Sequence, residues 1–425
     1  MADSKKYIGI YNSLEDVQDA LDNGQLSKPY VAKTMDNGQI DYNSLSPVDY
    51  SQYWCTYYPL DAKIWVTTAL GWNATTIEYT GGDGKISKAD FPDFYGAGSK
   101  RDFTDEKSTV VKFKYFQFDS MSSISNFEQA WSNCSSLTSF PLIDTSNGTN
   151  FAGAWGNCSS LKSFPLIDTS RGTNFHEAWS NCSKLASFPA LNLSKGTNFA
   201  GAWRNCSKLV TFLALNLSKG TNFSMAWCNC SSLTELPLLD LSAGTDFTQA
   251  WVGCSSLKEF PLLDVSQGIN FAEAWNNCSS LTKFPMLDLH NGLYFQYAWN
   301  NCSKLVTFPA LNLSKGTDFA RAWGSCSSLT SFPQMDLSSG TNFNYAWDGC
   351  SNLTNLGGFG AIKESIDLSY SPKLTVDSLM NVINQAADLN ILGITGKTMT
   401  FGSTNLAKLT DAQKAVATSK GWTLA

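Results

Sequence analysis

The stretch Thr149–Gly172, TNFAGAWGNCSSLKSFPLIDTSRG, decides the reading of the chain because it recurs. Trp155 has counterparts at Trp131, Trp179, Trp203, Trp227, Trp251, Trp275, Trp299, Trp323 and Trp347, so ten units follow one another at a period of 24 residues. Self-similarity at a fixed period in this range marks a stacked-repeat architecture. A cysteine follows each of these tryptophans by three residues, from Cys134 to Cys350, and only Cys55 and Cys228 stand outside that register.

Within the unit, Phe151, Ala154, Trp155 and Cys158 fall at i, i+3, i+4 and i+7, the apolar stripe of a short helix. Thr149 or Asn150 is placed to cap its start. The SSL segment then turns the chain into Leu161-x-x-Phe164-x-Leu166, where Phe164 and Leu166 alternate with Pro165 as in a half-buried strand. The DTSRG segment supplies turn residues. Each unit therefore predicts helix, turn, strand, turn. No unit buries its stripe alone, so neighbours must stack with Trp, Phe, Leu and Cys inward, giving an α/β solenoid over residues 126–352. Pro141, Pro165, Pro189, Pro237, Pro261, Pro285, Pro309 and Pro333 recur inside the strand, where a missing N–H breaks the ladder, so the strands are expected to be short or irregular.

Working outward, 425 residues would ordinarily mean two to four domains at about 100–200 residues each, yet the array alone takes more than half of the chain. Hydrophobic residues make up 43% and aromatics 13%, which excludes a disordered chain. Charged residues are 16%, and 30 Lys+Arg against 36 Asp+Glu give a formal charge of −6 with no basic run. Nucleic acid is therefore not an expected partner. No apolar segment has the length of a secretory signal or a membrane span, so neither Sec export nor membrane insertion is expected. Sequons such as those at Asn133, Asn157 and Asn181 carry Cys in the middle position and recur with the repeat, so they read as its by-products rather than glycan sites.

The flanks are expected to be separate elements. Residues 1–48 read as a small α+β N-terminal attachment module: a strand at Tyr7–Tyr11, a helix capped by Ser13 with Leu14, Val17, Ala20 and Leu21 on one face, and a hairpin at Asn37-Gly38. Residues 49–125, with Trp54, Tyr57, Tyr58, Trp65, Trp72 and the alternating run Val110–Phe118, predict a β-rich N-terminal cap and connector. Residues 353–425 predict an α/β C-terminal cap, with Thr375 and Thr410 capping helices, Gln413 completing a capping box, and Trp422 docking the end.

The period, the C-S-S-L-T-S-F-P-L-x-D-x-S core and the N-F-x-x-A-W element resemble the BspA-like leucine-rich repeats of bacterial surface proteins, over about residues 126–352. That resemblance implies leucine-rich-type repeats on a binding or adhesion scaffold, with no particular ligand carried over. The opening SLEDVQDALDNGQLSKPYVAKTMDNGQIDYNS (Ser13–Ser44) resembles openings of structural proteins of gut bacteriophages, such as head or tail fibres and other virion appendages, and the ending TFGSTNLAKLTDAQKAVATSKGWTLA (Thr400–Ala425) resembles the C-terminal cap found after such repeats in phage and prophage proteins. This second resemblance implies a virion appendage, other virion proteins as partners of the N-terminal module, and a homo-oligomer, commonly a trimer.

Chemistry-bearing patterns are few. The cysteine column reads as small buried thiols packed against Trp, with a disulfide framework or a metal array as the weaker alternatives. His176 and His290 stand apart, and no nucleophile elbow, Walker or Rossmann string occurs, so the chain is read as no enzyme and as needing no cofactor and no metal. The column Asp144, Asp168, Asp240, Asp264, Asp288 and Asp336 would suit a polysaccharide cleft, but Asn192, Asn216 and Asn312 replace it in register, as side chains bonding their own turns would allow. The stretch Gly82–Asp90 echoes half of a calcium loop but has Tyr79 and Gly81 at two ligand positions, and reads as an Asp-Gly turn.

Binding is expected where the units differ. The two residues between Phe and Ala-Trp vary most, and on a helix they would face solvent opposite the stripe. From these two positions the candidate binding residues are Glu128, Gln129, His176, Glu177, Met225, Gln249, Glu273, Gln296, Tyr297, Arg321, Asn344 and Tyr345. A second variable column, Thr138, Lys162, Ala186, Val210, Thr234, Lys258, Thr282, Val306 and Thr330, precedes the strand. Few charges, many Ser, Thr and Asn, and the aromatics Tyr297 and Tyr345 suit a host-surface glycan or protein as ligand. The expected location is the virion, with a bacterial cell-surface adhesin as the alternative and a polysaccharide depolymerase as a third reading.

Overall fold

The structure is a computed structural model that describes residues 8–11, 31–34, 56–58, 63–67 and 76–80 as strands, and residues 125–425 apart from 136, 139 and 141–144. The expected helix after Ser13, the Asn37-Gly38 hairpin, the run Val110–Phe118, the Gly82–Asp90 turn, Pro141, Asp144 and Cys55 lie outside the described residues. Two compact units are present, Met1–Leu193 and Ser194–Ala425.

In the first unit, β1 (Ile8–Tyr11) pairs in parallel with β2 (Val31–Thr34), while β3 (Thr56–Tyr58), β4 (Lys63–Thr67) and β5 (Thr76–Thr80) form an antiparallel sheet in that order. Three coils follow, carrying Trp131, Trp155 and Trp179. The segment read as a helix is not one. It is two successive four-residue turns, Phe127–Ala130 and Trp131–Cys134, each closed by an amide three residues on: Ala130 N to Phe127 O at 3.0 Å and Cys134 N to Trp131 O at 3.4 Å. The alternate amides, of Phe127, Gln129, Trp131 and Asn133, donate to the next coil instead, to the carbonyls of Asn150, Ala152, Ala154 and Gly156, each at 2.7 Å. A helix would spend these donors within the segment. The turns leave them free to tie coil to coil, so these four amides still find partners.

Such turns place their third residue at positive φ, where Asn and Gly are least strained. Asn133 and Asn157 have φ of 62°, and Gly253 has 69°. The period deceived because i, i+3, i+4, i+7 is also satisfied by two stacked turns of four.

In the second unit, seven coils carry Trp203 to Trp347, with the same ladder: Phe223, Met225, Trp227 and Asn229 donate to Asp246, Thr248, Ala250 and Val252 at 2.6–2.8 Å. Indole rings of successive coils stack with centroids 5.4–5.7 Å apart in this unit. A parallel Phe column flanks them, as in Phe247 over Phe271 at 5.4 Å, and the strand-side Phe meets Trp edge-on, as Phe260 meets Trp251 at 4.8 Å. All ten repeat tryptophans are fully buried.

The strand side is as short as the prolines require. It is reduced to single bridges, such as Thr211 with Glu235 and Glu259 with Lys283, until β6 (Ser331–Phe332) pairs with β7 (Asn355–Leu356). At Pro165, Pro189, Pro261, Pro285 and Pro309 the chain then makes a three-residue turn in which the amide two residues beyond Pro bonds the Pro carbonyl, as in Ile167 N to Pro165 O and Leu263 N to Pro261 O, each at 3.0 Å. This corrects the expected alternation. Leu166 is 62% exposed at the centre of that turn, and Ile167 takes the buried place.

The last segment packs on the final coil of its unit. Thr375 caps the helix Val376–Gln385 through Ser378 N, Ser378 Oγ donates to Thr354 O, and Asn381 Nδ2 to Leu356 O. Thr410 caps the helix Asp411–Ser419 with Gln413 in the reciprocal capping box that its spacing predicts. Trp422 is buried and its Nε1 donates to Ala387 O at 2.9 Å.

The cysteine column is bonded along the ladder. Cys158 Sγ donates to Trp131 O at 3.1 Å, and Cys254, Cys278 and Cys326 donate likewise to Trp227, Trp251 and Trp299 at 3.2 Å. Cys158, Cys230, Cys254, Cys278, Cys302, Cys326 and Cys350 are buried and form no disulfide among the described residues. Burial pushes Cys278 and Cys326 up from 9.0 to about 12. In the unfolded chain these thiols return to the ordinary value, so below about pH 9 both states are protonated and their contribution to stability is complete. Between about pH 9 and pH 12 the unfolded chain loses its protons first, and stability falls. The urea midpoint is expected to drop across that window, and thiol reagents to label these cysteines at neutral pH only as the protein unfolds. A flat midpoint, or fast labelling of the folded protein, would contradict the buried column.

Candidate binding surface

The acidic column forms turns, not a cleft. Asp168, Asp240, Asp264 and Asp336 each accept, through Oδ1, the amide two residues on, and Asn216 and Asn312 do the same, all at 2.9–3.3 Å. Interchange of Asp and Asn follows, because an acceptor oxygen is all the turn needs. The Ser170 amide holds the Asp168 carboxyl below its ordinary value, and His290, bonded through Nδ1 at 2.8 Å, does so for Asp288. Among the described residues no group of three or more His, Cys, Asp or Glu is placed to hold a metal. No helix among them is long and apolar enough to cross a membrane.

The expected binding columns lie on the turn ladder, not on a helix face, and are less exposed than a helix would leave them. Ala200 and Ala272, in the first of the two columns, are buried. In the first unit, Glu128, Gln129 and Glu177 are half-buried and His176 is exposed; Asn150 Nδ2 donates to Glu128 Oε2 at 3.3 Å. In the second, Gln249 Nε2 donates to Glu273 Oε1 at 3.0 Å, and Asn276 Nδ2 to Glu273 Oε2 at 3.2 Å. These polar side chains staple coils together. Met225 and Gln296 are half-buried beside them.

Tyr297, Arg321 and Tyr345 differ. They occupy one position of three successive coils, and the Arg321 guanidinium lies 5.8 Å from the Tyr297 ring centre and 4.9 Å from that of Tyr345. A cation held between two aromatic faces is attracted to both and keeps the two rings standing from the surface, with Tyr345 51% exposed. Beyond Tyr345, the exposed Asn344 lines a depression of about 360 Å³ with Ser365, Asp367 and Thr400. Each of the three side chains stands on a backbone at positive φ, 57°, 52° and 59°. The whole column shares that conformation, Gln129, Glu177, Met225, Gln249 and Glu273 included, and Gly153 and Gly201 occupy it without strain.

Three further residues were missed, although comparison of the units exposes them. Thr at the start of the unit donates through Oγ1 to the preceding coil, as Thr245 does to Thr221 O at 3.2 Å. Its neighbour, Asn or Asp, accepts the amide two residues on, as Asn270 accepts Ala272 N at 3.1 Å. Ile269, Leu293 and Tyr294 give up these bonds and put apolar surface in water, Ile269 42% and Tyr294 43% exposed. Departures from the local rule gather where a fold serves a ligand rather than itself.

No protein-family model matches the sequence, and no curated protein matches it. Among solved structures, the chain is similar to a leucine rich cell surface protein from Faecalibacterium prausnitzii, at 16% identity and a TM-score of 0.34 over 74% of this chain and 92% of that one. A leucine-rich repeat protein from Bacteroides ovatus gives 17% and 0.30 over 77% and 92%. An internalin from Listeria monocytogenes gives 15% and 0.25 over 70% and 88%. By its own hydrogen-bonded ladder, each unit of the chain contains a stack of parallel coils, and these leucine-rich repeat proteins are what it is similar to.

Proposed function

We propose that the chain is a non-enzymatic binding protein that uses the face around Tyr294, Tyr297, Arg321 and Tyr345 to hold a glycan of a host surface. The observation that carries this reading is the guanidinium held between two exposed tyrosines on three successive coils. Aromatic faces take the apolar side of a sugar ring, and the neighbouring Asn344, Ser365, Asp367 and Thr400 offer the few polar groups that orient a ligand in a depression. The resemblance of the terminal segments to phage structural proteins supports a virion appendage as the setting, with the N-terminal module meeting other virion proteins. A bacterial surface adhesin would use the same face.

An array of bacterial surface polysaccharides probed with the full chain tests the ligand class: retention of one or more neutral or weakly charged glycans is expected, and binding to proteins alone would overturn it. Gold-labelled antibody on purified particles tests the setting, since label on cells and none on particles selects the adhesin. Turnover of the bound polysaccharide, abolished by Asp→Asn changes in the acidic column, would overturn the non-enzymatic reading.

A further inference from the structure

The turn ladder of the second unit ends on a row of donors. Each of the coils carrying Trp203 to Trp323 sends four alternate amides to carbonyls of the coil after it. The last such set runs from Phe319, Arg321, Trp323 and Ser325 to Asn342, Asn344, Ala346 and Asp348 at 2.5–2.9 Å. The final coil is folded in the same way: Ala346 N bonds Phe343 O and Asp348 N bonds Tyr345 O, each at 3.0 Å, with Tyr345 and Gly349 at positive φ. Its own alternate amides, of Phe343, Tyr345, Trp347 and Gly349, therefore aim onward along the stack. None of the four has a hydrogen-bond partner among the described residues. Such a row, like the edge of a sheet, is a template for any group that brings acceptors.

The groups beyond the row are those of the last segment. Trp347 is covered by the Phe359 ring, with centroids 4.2 Å apart, whereas Phe343 and Tyr345 line the depression of about 360 Å³ that Ser365, Ile366, Asp367 and Thr400 complete. The strand Ile366–Asp367 is an edge of its three-stranded sheet, in which it pairs with Thr398–Thr400. The Asp367 carboxylate gives Oδ1 to the amide and the hydroxyl of Ser369, at 2.9 and 2.6 Å. Its Oδ2 has no hydrogen-bond partner among the described residues. The depression thus offers unpaired donors from the coil, an unpaired acceptor from the last segment, and the apolar side chains of Phe343 and Ile366.

We infer that this depression takes the acetamido group of an N-acetylated amino sugar, an inference that rests on the tyrosine face holding a glycan. An acetamido group carries what the depression lacks: a C=O to accept from the Tyr345 amide, an N–H to donate to Asp367 Oδ2, and a methyl to meet Phe343 and Ile366. Tyr345 joins the two parts of the site, because its ring belongs to the face and its amide to the depression. A sugar carboxylate would also accept from the amide row, but it sets a second negative charge beside Asp367, which like-charge repulsion disfavours. A ring hydroxyl brings one oxygen and no methyl, so it leaves the apolar side chains in water.

Polyvalent conjugates of N-acetylglucosamine, N-acetylgalactosamine and N-acetylmannosamine, each beside its glucose, galactose or mannose counterpart, test the inference on the full chain. At least one N-acetylated conjugate is expected to bind at least about tenfold more tightly than its counterpart, the effect of one hydrogen bond to a charged group. Asp367→Asn keeps the oxygen that the Ser369 turn needs and makes the other atom a donor, so it is expected to abolish that preference and leave the melting temperature unchanged. Hydrogen exchange reads the backbone donor directly. The Tyr345 amide is expected to exchange fast in the free chain and to slow when the preferred conjugate binds, while the Arg321 amide, bonded to Asn344 O at 2.9 Å, is slow in both. Equal binding of both members of every pair, or a Tyr345 amide indifferent to the bound conjugate, overturns the acetamido site. So does binding of none of them while the polysaccharide array yields a ligand, which leaves the reading of the face standing. A chain that retains no glycan in either experiment overturns both.

Discussion

Replacing Trp251 by alanine is expected to lower the unfolding free energy by about 3–5 kcal/mol, the range for deleting a buried aromatic side chain. Trp251 is fully buried, stacked on Trp227 at 5.7 Å and on Trp275 at 5.5 Å, with the edge of Phe260 at 4.8 Å. The void cannot close by moving one neighbour, because both stacked rings are fixed by their own coils through the ladder. Trp251→Phe is expected to cost much less. It keeps the stack, and it removes an indole Nε1 that is buried without a hydrogen-bond partner and whose desolvation is uncompensated in the native state. Urea unfolding followed by far-ultraviolet circular dichroism measures both. Equal losses for the two variants, or a loss below about 1 kcal/mol for the alanine, would contradict a packed indole column.

Gly268→Ala is expected to destabilise by about 1–3 kcal/mol or more, through overpacking rather than backbone strain. A Cβ at Gly268 would stand 2.2 Å from Phe271 Cζ and 2.9 Å from Val265 O. The ring is pinned between Phe247 and Phe295, at 5.4 and 5.6 Å, and the carbonyl belongs to the backbone, so neither gives way easily. Gly324→Ala is the internal comparison: its Cβ would meet the amide oxygen of Asn300 at 2.7 Å, the far end of a side chain that can swing aside. Phe271→Leu should relieve part of the Gly268→Ala cost, so the double variant is expected to be more stable than the sum of the two changes. Simple additivity, or Gly324→Ala as costly as Gly268→Ala, would show that the glycine serves the turn and not the ring.

These two sites show how far the sequence carries. The Trp and Cys period identified the stack and its core because packing repeats every coil, and the prolines foretold short or irregular strands, which the structure reduces to single bridges. The backbone between Phe and Cys was misread because two turns of four imitate one helical stripe. The Asn or Gly before most of the cysteines was the available signal, since a helix interior does not ask for positive φ there. Leu166 was placed inward on a period of two, although the residue after Pro leaves the strand in a tight turn. Gly268 was legible as a turn residue, but its contact with the Phe ring belongs to packing that no local pattern encodes.

The binding face was half legible. Variation between units picked out Tyr297, Arg321 and Tyr345, and the structure brings those three together, but the same variation also picked out Glu128, Gln249 and Glu273, which hydrogen-bond to adjacent coils. What separates the two groups is partnership, visible only in three dimensions. Ile269, Leu293 and Tyr294 were passed over because their columns are otherwise nearly uniform, and in a repeat protein the exception in a uniform column is the sharper signal.

The most direct test of the central claim, that the tyrosine face serves a ligand at the fold's expense, pairs binding with stability in one variant. Tyr297→Gly with Tyr345→Gly removes both rings at positions where glycine relieves positive φ, worth up to about 1 kcal/mol at each. Binding of this variant to the glycan or host surface that retains the wild-type chain, measured beside its thermal melt, is expected to fall at least about tenfold, as loss of aromatic anchors does, while the melting temperature holds or rises. Undiminished binding by a variant that melts as the wild type does would contradict the claim.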